Sequence, residues 1–274
     1  LELDEATRDA LAVGYDSDGH TVIPYWHMVF PALGAINASP RRMAGVLRLL
    51  INRGLYGERR LLSADSIARM ESPRTTLAAR SGLGYGYGLG NQQFTFKGFL
   101  FHGHGGDGDG YLSRLGYHKA LRVGYFVTIN AFNRVAMDRI EQAVLDYLVA
   151  GRKPPPAPSA EVAQESLARL TGSYLPVTWR FARSDPEQGA KAAVTVELAD
   201  GQLLLRYADG KRRPLLAVTD RHFRFPGQPV ATVALIEYGG ELFLQGDIGN
   251  YRRIPSQPPG SHSSLADPNQ PSAH

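Results

Sequence analysis

Phe101-His102-Gly103-His104-Gly105-Gly106-Asp107-Gly108-Asp109-Gly110-Tyr111 is an apolar run that breaks into glycines around a histidine. The preceding Phe99-Leu100-Phe101 suits a buried strand, and the glycines let another group approach the backbone where a side chain would block it. An active site needs that clearance when main-chain N–H groups hold a substrate oxygen.

Composition narrows the setting. At 274 residues the chain has room for two domains, each able to bury a core, and its 43% hydrophobic content is that of a globular protein. A formal charge of +4 and a pI near 9.3 are mild for this length. The arginine pairs Arg41-Arg42, Arg59-Arg60 and Arg252-Arg253 are scattered and read as solvated faces, so no nucleic-acid partner is expected. There is no cysteine, which excludes thiol catalysis, disulfides and Cys-ligated zinc. No signal peptide or transmembrane span is legible, and the compartment is left open. Residue 1 is Leu, so an upstream portion is expected.

The chain divides at Lys153-Pro154-Pro155-Pro156-Ala157-Pro158, which can form neither helix nor central strand and is expected to be a stiff polyproline spacer. The expected organisation is therefore a first domain over residues 1–152, a linker at 153–158, a second domain at 159–255 and a disordered Pro/Ser-rich tail at 256–274. Before the linker, Ser39-Pro40 caps a helix carrying Met43, Val46, Leu47 and Leu50 at helical spacing up to a stop near Gly54. Ser63 caps a shorter helix through Ile67 and Met70. Met137, Ile140, Val144, Tyr147 and Leu148 give a third with one apolar face. Strand-like runs lie at about 84–89, 93–104 and 123–130, neighbours in sequence and so expected in one antiparallel sheet. After the linker a short helix at about 160–170 precedes hairpins punctuated by Asp200-Gly201, Asp209-Gly210 and Gly239-Gly240. Periodicity leaves open whether these close into an up-and-down barrel or fold as a sandwich. The fold class is α+β, followed by an all-β unit.

The order of elements before the linker resembles the C-terminal portion of the serine β-lactamase-like family, which includes class C β-lactamases, DD-peptidases, D-aminopeptidases and related esterases. The resemblance covers roughly residues 10–150. It rests on Phe30-Pro31-Ala32-Leu33-Gly34-Ala35-Ile36-Asn37 leading into the Ser39 helix, Arg60-Leu61-Leu62-Ser63, Gly84-Tyr85-Gly86-Tyr87-Gly88-Leu89-Gly90, and His104-Gly105-Gly106 with Gly110-Tyr111. Residues 171–255 look like the small, lipocalin-like β-barrel appended to many members. The resemblance implies a partial β-lactamase-like sheet with helices and an acyl-serine mechanism on amide, β-lactam or ester bonds, with no cofactor and no metal. It also implies export to the periplasm or beyond, by family habit. The family's Ser-x-x-Lys and Tyr-x-Asn motifs occur nowhere in the chain; both normally lie N-terminal to this region, so the chain is expected to be a truncated hydrolase, inactive alone.

By the same resemblance His104 takes the place of the family's Lys or His on the sheet edge. Imidazole as a side-chain class can donate a hydrogen bond or move a proton near neutrality. Gly106 would clear space for the substrate, and the Asp107 N–H would be an oxyanion donor, provided that the Asp107 carboxylate points away. Tyr111 would close the loop. His102, on the same strand face, and Gly105 are candidate substrate contacts, as are Tyr25 and His27, whose segment borders the substrate cleft in the family. A lone His104 is more often a turn histidine, but the motif order around it favours the site. Calcium loops starting at Asp107 or Asp16 fail because His118 and His27 stand where the bidentate glutamate belongs. His-Gly-Gly can also be an α/β-hydrolase oxyanion loop, yet no Gly-x-Ser-x-Gly follows. The alternative of another class is a non-catalytic module whose barrel holds an apolar ligand or partner. Faces left bare by truncation are expected to make the first domain self-associate.

Overall fold

The computed structural model describes residues 9–28, 30, 32, 34–178 and 192–255. The 256–274 tail expected to be disordered lies outside the described residues. In chain order the first strands are β1 (Gly14–Tyr15) and β2 (Val22–Ile23), a short antiparallel ribbon. Its turn is tied by Asp18, which accepts from the N–H groups of His20 and Thr21 at 2.8 and 2.9 Å. The Asp16–Gly19 stretch is therefore a side-chain-locked turn.

Helix α1 (Pro40–Ile51) starts as the sequence predicts: Ser39 accepts from Arg42 N–H and proline occupies the first turn, where its missing N–H costs nothing. After the hairpin β3 (Leu55–Tyr56) and β4 (Arg59–Arg60), Ser63 caps α2 (Ala64–Glu71), and Thr76 caps a single turn, α3 (Leu77–Arg80). A four-stranded antiparallel meander follows: β5 (Gln92–Phe96), β6 (Phe99–Gly108), β7 (Tyr111–His118) and β8 (Val123–Ile129). Helix α4 (Arg134–Val149), capped by Asn133, then packs on the sheet.

Strand alternation gives the sheet two different faces. Phe99 and Phe101 of β6 point to one side, where they are buried with Tyr125 and with Leu145 and Val149 of α4. Tyr117, paired opposite His102, points to the other side and is buried with Leu47 and Leu50 of α1 and Ile67 of α2. The sheet is thus covered by α4 on one face and by α1 and α2 on the other.

Three expectations are corrected here. The predicted single strand over 93–104 is two strands, because Lys97 and Gly98 both adopt positive φ (45° and 80°) and form a tight hairpin turn. Residues 84–89 form no strand; only an isolated bridge joins Tyr87 to Gln92, and Gly86 sits at φ 149°. On α4 the buried positions are Met137, Leu145 and Val149, while Ile140 is exposed and Tyr147 is 79% exposed.

The helix expected at 160–170 is shorter, α5 (Gln164–Ala168). After it, β9 (Gly172–Pro176), β10 (Val194–Ala199), β11 (Gln202–Tyr207), β12 (Arg212–Ala217), β13 (His222–Arg224), β14 (Val233–Tyr238), β15 (Glu241–Gly246) and β16 (Gly249–Arg253) form a closed antiparallel barrel. Each strand pairs with its sequence neighbours and β9 pairs with β16, so the barrel is up-and-down and the sandwich alternative falls. Closure removes every sheet edge. Large apolar side chains fill the interior, among them Tyr174, Leu205, Phe223, Phe225, Leu235 and Leu244.

The barrel is locked to the first part of the chain. Gln245 accepts from Ala78 N–H at 2.9 Å, and Tyr85 donates to Asp247 at 3.0 Å. Ala78, Leu83 and Tyr85 share a buried cluster with Ala234 and Ile236 of β14. Elsewhere the first part leaves large apolar side chains exposed, including Val22, Phe30, Ile36, Leu61 and Leu89. Among the described residues no helix is long and apolar enough to cross a membrane.

Where β6 crosses β7 the backbone leaves no room for a side chain: a Cβ on Gly103 would lie 1.9 Å from the Leu115 carbonyl oxygen, whereas one on Gly108 would meet only Trp26, at 3.4 Å. Gly103→Ala is therefore expected to lower the unfolding free energy by about 1–3 kcal/mol and Gly108→Ala by clearly less. Chemical denaturation compares them; equal losses would contradict the packing described.

Candidate functional site

Strand β6 outruns its neighbour. Pairing with β5 extends only from Phe96↔Phe99 to Gln92↔Gly103, whereas pairing with β7 continues to Gly108↔Tyr111. From His104 to Gly108, among the described residues, no strand pairs with the second edge of β6. Its main-chain groups on that side are available to another partner.

His104 stands at the start of this free edge and is exposed. Its Nδ1 contacts the Gly105 carbonyl oxygen, and its Nε2 lies 2.7 Å from the Tyr87 hydroxyl. A carbonyl only accepts, so the Nδ1 side carries the hydrogen, and in the neutral ring Nε2 accepts from Tyr87. The two rings meet edge to face with centroids 5.6 Å apart. The pair joins an exposed phenol to an imidazole, an arrangement able to relay a proton at the strand edge.

Asp107 lies on the opposite face of the strand from His104. Its carboxylate is held by Arg114 at 2.7 Å and by Arg134 of α4 at 2.5 Å. Partial burial works to raise its pKa, but the hydrogen bonds and charges of the two guanidiniums outweigh it and hold the carboxyl below the usual range. The negative side chain is thus drawn away from the His104 face. Gly106 is exposed on the His104 face, with Ser113 beside it; a Cβ there would meet Ser113 Oγ at 2.6 Å. Gly105 shares the Asp107 face, under the Arg114 side chain.

The remaining candidates gather elsewhere. Tyr111 donates to the Ala12 carbonyl oxygen at 2.5 Å and packs its ring on Gly14; burial, then the proximity of Tyr25, raises its pKa. Tyr25 meets His27 edge to face at 5.1 Å and accepts from Asn37 at 3.2 Å. Trp26 donates to the Asp109 carbonyl oxygen at 3.1 Å, pinning this segment against the β6–β7 turn. Tyr25, His27 and Tyr111 therefore border the far end of the free edge.

His102 does not reach the surface. It is 1% exposed and stacked on Tyr117 with ring centroids 5.6 Å apart. Burial, then the charge of Lys119, lowers its pKa to about 4. Beside it Glu71, 3% exposed, accepts from Tyr117 at 2.9 Å, Arg53 at 2.7 Å and Lys119 at 3.2 Å; Asn91 in turn donates to the Tyr117 hydroxyl at 2.9 Å. Burial would raise the Glu71 pKa, yet these donors bring it below the ordinary carboxylate value. Sequence reading missed this cluster, and it missed Tyr87 and the two arginines on Asp107 as partners. All are joined across 7 to 48 positions, and no local pattern marks them.

No family model matches the chain, and no curated protein matches it. Three solved structures resemble it distantly. The crystal structure of SurE has a TM-score of 0.40 at 18% identity, over 89% of this chain and 55% of that one. The octameric penicillin-binding protein homologue from Pyrococcus abyssi has a TM-score of 0.39 at 19% identity, over 92% and 55%. SurE with D-Leu gives 0.34 at 20% identity, over 73% and 46%. The chain spans about half the length of these proteins.

The Asp107 clamp has a pH signature. Because its folded pKa is depressed, its stabilisation is complete above the unfolded value of about 3.9 and is lost as pH falls through the folded one. Asp107→Asn is expected to destabilise the chain by about 1 kcal/mol at pH 7, with the difference vanishing toward pH 2. Denaturant titrations at both pH values read it; an unchanged difference at low pH would show that charge is not the cause.

Proposed function

We propose that the chain is the C-terminal part of a β-lactamase-like serine hydrolase that acts through an acyl-serine on amide, β-lactam or ester bonds. The observation that carries this reading is the free edge of β6, with His104 at its start, small residues along it and the Asp107 carboxylate turned to the other face. In this reading a carbonyl substrate lies along residues 104–107, and an N–H of the edge, with one from the nucleophile's own residue, holds the oxyanion. Removing one oxyanion donor from such a site typically costs 10²–10³ in rate. The His104–Tyr87 pair would pass a proton to or from the leaving group. The nucleophile and its lysine would be supplied from outside these 274 residues, so the chain alone would be silent.

The filled interior of the barrel counts against the alternative in which it holds an apolar ligand. The barrel fits better as a rigid support: Gln245 and Asp247 fasten it to α3 and to Tyr85, on the segment that leads to Tyr87. Substrate contacts by Tyr25, His27 and Tyr111, and export from the cytoplasm, belong to the same proposal.

The test is labelling with a fluorescent penicillin or phosphonate, on this chain and on the product of the complete reading frame. Labelling of the long form alone is expected, slowed at least ten-fold by His104→Ala and less by Tyr87→Phe. A long form that takes neither probe, or a His104→Ala variant that labels at the original rate, would refute the assignment.

A further inference from the structure

Residues 34–62 hold six arginines, no lysine and a single carboxylate, Glu58, so this stretch carries +5 on a chain whose net charge is +4. The rest of the chain is therefore slightly acidic. Two of the six arginines are engaged within the fold: Arg53 bonds Glu71 at 2.7 Å, and Arg60 donates to the carbonyl oxygens of Arg53 and Leu62. The other four, Arg41, Arg42, Arg48 and Arg59, are exposed, and among the described residues none of their guanidiniums has an ion pair or a hydrogen bond.

Helix and hairpin geometry puts these four on one surface. Leu47 and Leu50 face inward from α1, which leaves Arg41, Gly45 and Arg48, at i, i+4 and i+7, as its outward stripe. Gly45 has no side chain, so the Tyr56 ring of β3 lies across the helix there; a Cβ on Gly45 would meet it at 3.4 Å. Arg59 is the cross-strand partner of Tyr56 and so points to the same side of the hairpin. Arg41, Arg42, Arg48 and Tyr56 line an open groove of about 490 Å³ with no carboxylate in its walls. The pairs Arg41-Arg42 and Arg59-Arg60, which read in sequence as scattered solvated faces, thus contribute to one basic face.

Apolar groups interleave with the charge. Tyr56 is exposed, and so is Val46, one helical turn after Arg42. Like charges gathered without a counter-ion repel one another unless an anionic partner meets them. A phosphate in water would satisfy the arginines but leave Tyr56 and Val46 wet, whereas a bilayer interface receives both kinds of group. We infer that this face of α1 and the β3–β4 hairpin docks on an anionic phospholipid bilayer, with the guanidiniums on lipid phosphates and Tyr56 at the level of the headgroups.

The test is sedimentation of this chain, and of the product of the complete reading frame, with vesicles of equimolar phosphatidylglycerol and phosphatidylcholine, against vesicles of phosphatidylcholine alone. Binding to the anionic vesicles is expected to be at least ten-fold tighter and to weaken steeply as salt is raised. Arg41→Gln with Arg48→Gln is expected to weaken it about thirty-fold. Lys153→Gln with Arg221→Gln, which removes the same charge elsewhere, is expected to leave it within about two-fold, and Tyr56→Ser to weaken it about five-fold with the salt dependence unchanged. Thermal melting of each variant, expected to match the parent because the substituted side chains are exposed, separates lost binding from lost folding. Neutral vesicles bound as tightly, an equal loss in the Lys153/Arg221 variant, or displacement from the vesicles by glycerol 3-phosphate or a DNA duplex at the same phosphate concentration would each overturn the inference. So would a complete reading-frame product that fails to bind, which would mean that the rest of that protein covers the face.

Discussion

The structure turns on one mismatch in length: β5 stops opposite Gly103, while β6 and β7 stay paired for five more residues. Backbone hydrogen bonding must be completed somewhere, and in the interior of a sheet the neighbouring strand does it. Past Gly103 that neighbour is missing on one side. The edge that results is short and rich in glycine, and it lies at the surface next to an imidazole–phenol pair. An edge of this kind is a liability in a protein that has no use for it, because any extended chain can pair with it. Here the neighbouring Asp107 is anchored by two arginines on the far face, which keeps its charge off the near face.

Rigidity behind the edge comes from both sides of the sheet. Phe99 and Phe101 lock β6 to α4, and Tyr117 locks β7 to α1 and α2. Gly103 lets the two strands approach closely at the point where β5 ends. The barrel extends this support. Its buried Gln245 accepts the Ala78 N–H in a one-turn helix, and the buried cluster of Ile236 with Tyr85 and Leu83 welds the segment 77–85 to strand β14. The turn carrying Tyr87 follows directly, so the phenol facing His104 is held by contacts made more than a hundred residues away in sequence.

Much of this was legible in local sequence. Ser39, Ser63 and the apolar spacing behind each mark helix starts that the structure places at Pro40 and Ala64, because a capping hydroxyl is a local device. The barrel's hairpins were likewise marked by their Asp-Gly and Gly-Gly turns. The Lys97-Gly98 hairpin was missed because lysine seldom takes a positive φ and so does not announce a turn. The 84–89 stretch reads as a strand by its alternating tyrosines, yet Gly86 at φ 149° breaks the extended path. Within the candidate site, His104 and the glycines were visible as a motif. Tyr87, the Arg114 and Arg134 clamp and the Glu71 cluster were not, since each depends on strand register and helix placement that no short window of sequence encodes. Register also separated His102 from His104: both share a face, but the first lies under the surface against Tyr117 and the second stands free.

On the proposed function, the free edge of β6 receives a substrate's backbone or carbonyl group. Amide hydrogen exchange over residues 105–107 tests it most directly, measured on the product of the complete reading frame before and after treatment with a penicillin. Occupation of the edge predicts slower exchange at one or more of these amides after acylation, with the amides of β7 and β8 unchanged. Exchange at 105–107 that stays equally fast in the acylated protein would contradict it.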